Sequence, residues 1–197
     1  MQVALNVITM LRILLIFLLA PTVVLAQDHS SATPAVSQAG PLIAHNKIMY
    51  AGLKKILLAS AEKMPEANYA FKPTDSVRTF GQVIGHVADS QYTFCASALA
   101  EKRPAIKVEQ TRITKAELIA ALNDAFTYCD KAYDSVTDTS AAEMVKVFGQ
   151  DTPRLAVLGV NNAHGAEHYG NLVTYLRMKD LVPPTSDPVL MKQMGGK

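Results

Sequence analysis

The side chains in this sequence best suited to chemistry are histidines. There are five, and two of them, His164 and His168, stand four apart in His164-Gly165-Ala166-Glu167-His168. On a helix that spacing puts both imidazoles on one face, about 40° apart and one turn above the other, so that both can reach a single metal ion. His86 is the third candidate, in a stretch whose helical face also carries Thr79, Gln82, Ser90 and Thr93. Counted from the ends of their segments, the three histidines share a level if the two helices run antiparallel and miss it if they run parallel. The plainer alternative is a set of partly buried histidines, each satisfied by a hydrogen bond. His29 lies in a polar stretch and is expected to be solvated, whereas His45 is expected to cap or pack near the start of the first helix.

Three neutral imidazoles on one divalent ion leave at least one position for water or substrate, the open arrangement of a catalytic centre. Such an ion lowers the pKa of a water or thiol and polarises an electrophile. Imidazole suits zinc, nickel, iron or copper, so spacing does not choose among them. Gln82, Ser90, Asn171 and Tyr175 share the relevant faces, and Glu167 lies about 60° from His164 and about 100° from His168, which makes it a weaker candidate base. Gln82, Glu167 and Tyr175 are the catalytic candidates, although support or packing is the commoner role for such residues. His164–His168 also matches the H-x-x-E-H pattern of inverzincin proteases. A site of that kind needs a further carboxylate ligand, and only Asp180 and Asp187 follow His168, so the protease reading is set aside.

Positioning these groups requires helices, and four segments supply them. Leu42–Met64 has apolar residues at Ile48, Leu53, Ile56, Leu57 and Ala61, near helical spacing. A second segment opens on the capping box Thr79-Phe80-Gly81-Gln82 and stops before Pro104, and a third opens on Thr114-Lys115-Ala116-Glu117 and runs to about Val136. The fourth starts at Asp151-Thr152-Pro153 and runs to about Met178. No stretch alternates well enough to read as a strand. The expected architecture is an all-α four-helix bundle over residues 42–182, followed by a flexible tail over 183–197, where Pro183-Pro184 stops the last helix.

Residues 10–26 carry one charge, Arg12, before an apolar run interrupted by Pro21, with Val24 and Ala26 at a small-residue cleavage position. This layout predicts a signal peptide over residues 1–26 and an exported, periplasmic or extracellular protein. An uncleaved anchor is the alternative, for which the apolar run before Pro21 is short. Residues 27–41, rich in Ser, Ala, Gln and Pro, read as a disordered spacer. The remainder is long enough to fold on its own core. A formal net charge of +2 argues against a nucleic-acid partner. No stable membrane span is expected after cleavage; a small-molecule substrate and a homodimer are both left open.

Cys95 lies nine residues beyond His86 and so points away from the metal face. Cys95 and Cys129 reach one level if the second and third helices run parallel, and differ by several residues if they run antiparallel. Either a disulfide or two free thiols fits that pattern.

The stretches Phe80-Gly81-Gln82-Val83-Ile84-Gly85-His86-Val87-Ala88-Asp89 and His164-Gly165-Ala166-Glu167-His168-Tyr169-Gly170-Asn171-Leu172-Val173-Thr174-Tyr175-Leu176-Arg177 resemble the DinB/YfiT-like family. The resemblance covers roughly residues 43–182. It implies a bundle with up-down-down-up connections and a divalent metal held by His86, His164 and His168. Under that topology the second and third helices are parallel, and a Cys95–Cys129 disulfide becomes geometrically accessible. Family members with known activity include thiol-dependent transferases and isomerases, and others are described as metal-dependent hydrolases. The resemblance therefore implies a metal-dependent hydrolase or thiol-dependent transferase, with a non-catalytic metal- or ligand-binding helical module as the alternative. One departure is Asp180, where a glycine would be expected to close the last helix.

Overall fold

The structure, a computed structural model, describes residues 40–193 and Gly195. The signal-peptide reading and most of the spacer lie outside these residues. In chain order the elements are α1 (Pro41–Lys63), a 3-10 turn (Glu66–Asn68), α2 (Phe80–Leu99), the short α3 (Val108–Thr111), α4 (Lys115–Ser135), β1 (Met144–Val147), β2 (Gln150–Pro153), α5 (Arg154–Arg177), a second 3-10 turn (Pro184–Ser186) and α6 (Pro188–Gln193). The fold is an all-α bundle of four long helices carrying one small hairpin. Among the described residues, no helix is long and apolar enough to cross a membrane.

Both capping boxes form. Thr79 accepts from the Gln82 amide while the Gln82 side chain accepts from the Thr79 amide, and Thr114 and Glu117 do the same at the start of α4. Each box satisfies two amides that the helix itself leaves without partners. Helix α1 begins at Pro41, inside the expected spacer, with the Gly40 amide bonded to Asp138 at 2.8 Å. Its inner face is Ile43, Tyr50, Leu57 and Ala61, whereas Ile48, expected inside, is 68% exposed.

The direction of each helix follows from which residues meet. Gly81 packs on Leu118 and Tyr92 on Tyr128, so α2 and α4 run parallel. Phe80 lies against Tyr175 and Ala98 against Arg154, so α2 and α5 run antiparallel. Asn46 meets Asn162 and Leu57 meets Gly165, making α1 parallel to α5. Lys47 pairs with Asp134 while Lys115 reaches the Met64 carbonyl, making α1 antiparallel to α4. The order is up-down-down-up.

Parallel α2 and α4 force the chain to travel back along α2 between them, and the structure of that return is a central feature of the molecule. It crosses α2 at Gly85, where an added Cβ would come within 2.7 Å of the Glu109 Cα. Only a hydrogen at this position lets the two backbones approach so closely. One turn further on, Asp89 accepts the amides of Val108 (2.8 Å) and Glu109 (3.0 Å), fixing the start of α3.

Two expectations are corrected. Asp151, Thr152 and Pro153 do not open the last helix; they form β2, antiparallel to β1 with Val145 opposite Thr152, and α5 begins at Arg154. The turn is Phe148-Gly149, both at positive φ (49° and 81°), the backbone of a two-residue hairpin loop. Strands of four residues carry too little alternation to stand out in sequence. Within the expected flexible tail, Pro184–Ser186 form the second 3-10 turn and Pro188–Gln193 form α6. Pro184 is buried, Lys63 pairs with Asp187 at 2.7 Å, and the Tyr169 hydroxyl meets Thr185 Oγ1 at 2.8 Å. The tail has few large apolar groups, but polar contacts hold it to α1 and α5.

Cys95 and Cys129 are joined across the parallel α2–α4 pair, with Cα atoms 5.2 Å apart, inside the range a disulfide spans. Both are fully buried.

Candidate metal centre

His86 projects from the second turn of α2, and His164 and His168 from the middle of α5, so the antiparallel pair brings all three to one level. Their ligand-capable atoms lie within 4.8 Å of one another. The Nε2 atom of His164 stands 3.3 Å from that of His86 and 3.1 Å from that of His168.

The other nitrogens decide what this cluster can do. His86 Nδ1 faces Glu109 Oε2 at 3.3 Å, and His168 Nδ1 faces Asn171 Oδ1 at 3.1 Å. Each contact holds a proton on Nδ1 and turns an Nε2 lone pair toward the centre of the cluster. His164 Nε2 therefore meets two lone pairs and can carry one proton at most, so the three rings cannot satisfy one another by hydrogen bonds. A cation can. Two nitrogens bound to one tetrahedral ion at 2.0–2.1 Å are about 3.3–3.4 Å apart, close to the separations seen. The donor set thus fits a divalent ion, and His86, His164 and His168 could hold one. Among the described residues, no carboxylate of the kind an inverzincin site requires joins the converging donors.

Electrostatics point the same way. Burial, followed by His168 and His86, pushes the His164 imidazole down to about 4, and burial, followed by Arg78, lowers that of His86. Both shifts favour the neutral, ligating form. The Phe94 ring packs against His164 at a steep angle, with centroids 5.5 Å apart. His164 Nδ1 is buried with no hydrogen-bond partner among the described residues.

Beside His168 opens a cavity of about 560 Å³, bounded also by Arg78, Glu109, Glu167, Asn171 and Tyr175. The catalytic candidates read from the sequence fare differently there. The Gln82 side-chain oxygen is occupied by the α2 cap at 2.8 Å, and the Tyr175 hydroxyl donates to the Arg78 carbonyl at 2.8 Å. Burial raises the Tyr175 pKa. Glu167 is exposed on the cavity wall with no hydrogen-bond partner among the described residues. Ser90 donates back to the His86 carbonyl and Thr93 to that of Asp89, so both serve their own helix. His45 is exposed on α1 and outside the cluster, and His29 lies outside the described residues.

A model of the DinB superfamily matches residues 51–172, a span that contains all three histidines and the return segment. The chain belongs to the DinB superfamily. Solved structures of DinB-like proteins share its fold. One from Bacillus cereus ATCC 10987 superposes with a TM-score of 0.59 at 15% identity, covering 73% of this chain and 93% of its own. Another, from Bacillus subtilis, gives a TM-score of 0.54 at 16% identity, with 71% and 91% covered. No curated protein sequence matches the chain.

Within this DinB-like bundle, Glu109, Arg78 and Phe94 are site residues that sequence reasoning missed. Glu109 bridges the His86 imidazole and Arg78 Nε, the latter at 2.8 Å. It is remote from His86 in sequence, in a link that has no helical pattern of its own. The available signal was Gly85 directly before His86, with Asp89 one turn on, marking the place where another backbone crosses.

Proposed function

We propose that this DinB-like protein is exported and binds a divalent metal ion through His86, His164 and His168, using it to activate water or a thiol against a small-molecule substrate. The observation that carries this reading is the triad of inward-facing Nε2 atoms, with Glu109 and Asn171 holding the opposite nitrogens, at the edge of a cavity. A bound ion would supply Lewis-acid chemistry at the position three imidazoles leave open. The chain's own residues do the rest. Glu109 orients and raises the basicity of His86, Asn171 orients His168, and Phe94 screens His164 from water. Glu167 is the carboxylate on the cavity wall able to accept a proton, since the Gln82 side-chain oxygen and the Tyr175 hydroxyl are committed to backbone groups.

A metal-dependent hydrolase or thiol-dependent transferase fits this arrangement. Export, read from the leader-like residues 1–26, favours hydrolysis, because low-molecular-weight thiols are chiefly cytosolic. That same commitment of Gln82 and Tyr175 supports a second reading, a metal- or ligand-binding module without turnover. Metal analysis of protein purified from its native host tests the site. The wild type should carry close to one equivalent, and the His164→Ala, His168→Ala double variant almost none, with helix content retained because apolar stripes build the core. Stoichiometric metal in that double variant would refute the triad. A hydrolysis and thiol-transfer screen of the loaded protein then separates enzyme from binding module.

A further inference from the structure

We propose that Arg78 is the specificity residue of this cavity, anchoring an oxyanion, carboxylate or phosphate, carried by the substrate beside the metal position. The inference deepens the metal-centre reading and rests on it. Arg78 stands on the cavity wall immediately before the Thr79 cap of α2. Its Nε is held by Glu109 at 2.8 Å, while its Nη atoms have no hydrogen-bond partner among the described residues. The Tyr175 hydroxyl grips the Arg78 carbonyl, so the backbone that presents the guanidinium is itself fixed. A guanidinium held at Nε, with both Nη groups free, is preorganised to take an oxyanion in a fork.

The surrounding charges favour an anion as well. Glu109 offsets Arg78, and an ion on the triad adds two positive charges opposed on the wall only by the exposed Glu167. The cavity also lies at the N-terminal end of α2, the positive end of its dipole. The first amides of α2 cannot contact a ligand directly, because those of Phe80, Gly81 and Gln82 are bonded to Phe71, Tyr69 and Thr79. Direct recognition therefore falls to the guanidinium. A volume of about 560 Å³ suits a small organic acid or phosphoester rather than a polymer.

Arg78 could instead do nothing more than hold Glu109 against His86, and two variants tell these roles apart. Metal-loaded full-length protein is titrated with benzoate and with phenyl phosphate, each against a neutral analogue, benzamide and benzyl alcohol, with metal content measured in the same samples. The wild type should prefer at least one anion over its neutral analogue, and which anion it prefers separates carboxylate from phosphate. Arg78→Met should weaken that binding by about tenfold or more at saturating metal. Glu109→Gln should lower metal affinity yet leave anion binding undiminished, because it removes a negative charge from the wall. Equal affinity of the wild type for anion and neutral analogue would overturn the proposal. So would an Arg78→Met protein that loses metal affinity but binds the anion normally once loaded. If Arg78→Met fails to fold, Arg78→Lys keeps the charge without the fork and should show an intermediate loss; unchanged binding there overturns the forked contact. A wild type that takes up no metal would sink the site reading, visible in the metal content, and titration of metal-free wild type and variant would still decide Arg78.

Discussion

At the scale of single residues, protons and one close approach govern the centre. The ordinary imidazole value is 6.5, and His164 is pushed down to about 4, chiefly by burial. A histidine with a lowered folded value binds its proton first in the unfolded chain. Its contribution to stability is therefore complete above about pH 6.5 and is lost as pH falls to about 4. Melting of the metal-stripped protein should drop across that window, and His164→Gln, neutral throughout, should flatten the slope; parallel curves for the two proteins would contradict the assignment. Glu109→Gln should reduce metal affinity about 10- to 100-fold, as loss of a carboxylate behind a ligating imidazole does, and competition with a chelator measures it. Gly85→Ala drives a methyl group into the Glu109 backbone. Displacing α3 should cost about 1–3 kcal/mol in denaturant unfolding and weaken metal binding with it, although Gly85 touches no ligand nitrogen. These residues show what was readable beforehand. The histidines announce themselves by type and spacing, but Glu109 and Arg78 are common surface residues whose importance comes from a crossing no local pattern encodes.

At the scale of elements, the sequence was most legible where local chemistry acts alone. Thr79-x-x-Gln82 and Thr114-x-x-Glu117 close their boxes because each reciprocal bond lies within one turn. Asp151-Thr152-Pro153 misled because Pro153 does precede the helix, but the residues before it are drawn into pairing with β1, a contact outside any helical window. The missing glycine at Asp180 has a structural counterpart. Asp180 takes φ 57° and closes α5 in a Schellman pattern, with the Leu181 amide on the Leu176 carbonyl. Ala100 does the same for α2, also at φ 57°, with the Glu101 amide on the Ala96 carbonyl. A left-handed residue with a Cβ costs about 1–2 kcal/mol, partly offset by the chain entropy glycine loses on folding. Both positions are exposed. Ala100→Gly should therefore stabilise by about 0.5–1 kcal/mol, and Asp180→Gly by less, because aspartate tolerates this conformation better. Chemical denaturation reads both, and a destabilised Ala100→Gly protein would show that its methyl group does work the packing does not reveal.

At the scale of the whole molecule, topology, compartment and stability meet in one covalent bond. The up-down-down-up order sets α2 parallel to α4, which brings Cys95 level with Cys129 and also obliges the chain to return across Gly85 with Glu109. One connection thus builds both the disulfide and the support behind His86, on opposite faces of α2. Sequence spacing left both helix directions open for the cysteines, because depth along a helix says nothing about which helices are neighbours. Cys95 and Cys129 are 34 residues apart, and cross-linking a loop of that length removes about 3–4 kcal/mol of unfolded-state entropy. For a domain of this size such a loss lowers the melting temperature by roughly 5–15 °C. The Cys95→Ser, Cys129→Ser variant should melt lower by that amount while binding as much metal as the wild type, because Cys95 faces away from His86. Thiol titration of denatured, unreduced protein from its native compartment should find no free thiol if the protein is exported as proposed. Two titratable thiols there would count against export and against a bonded pair together. A melting loss accompanied by loss of metal would show instead that the bond holds the return segment in place, so that the two faces of α2 are mechanically coupled.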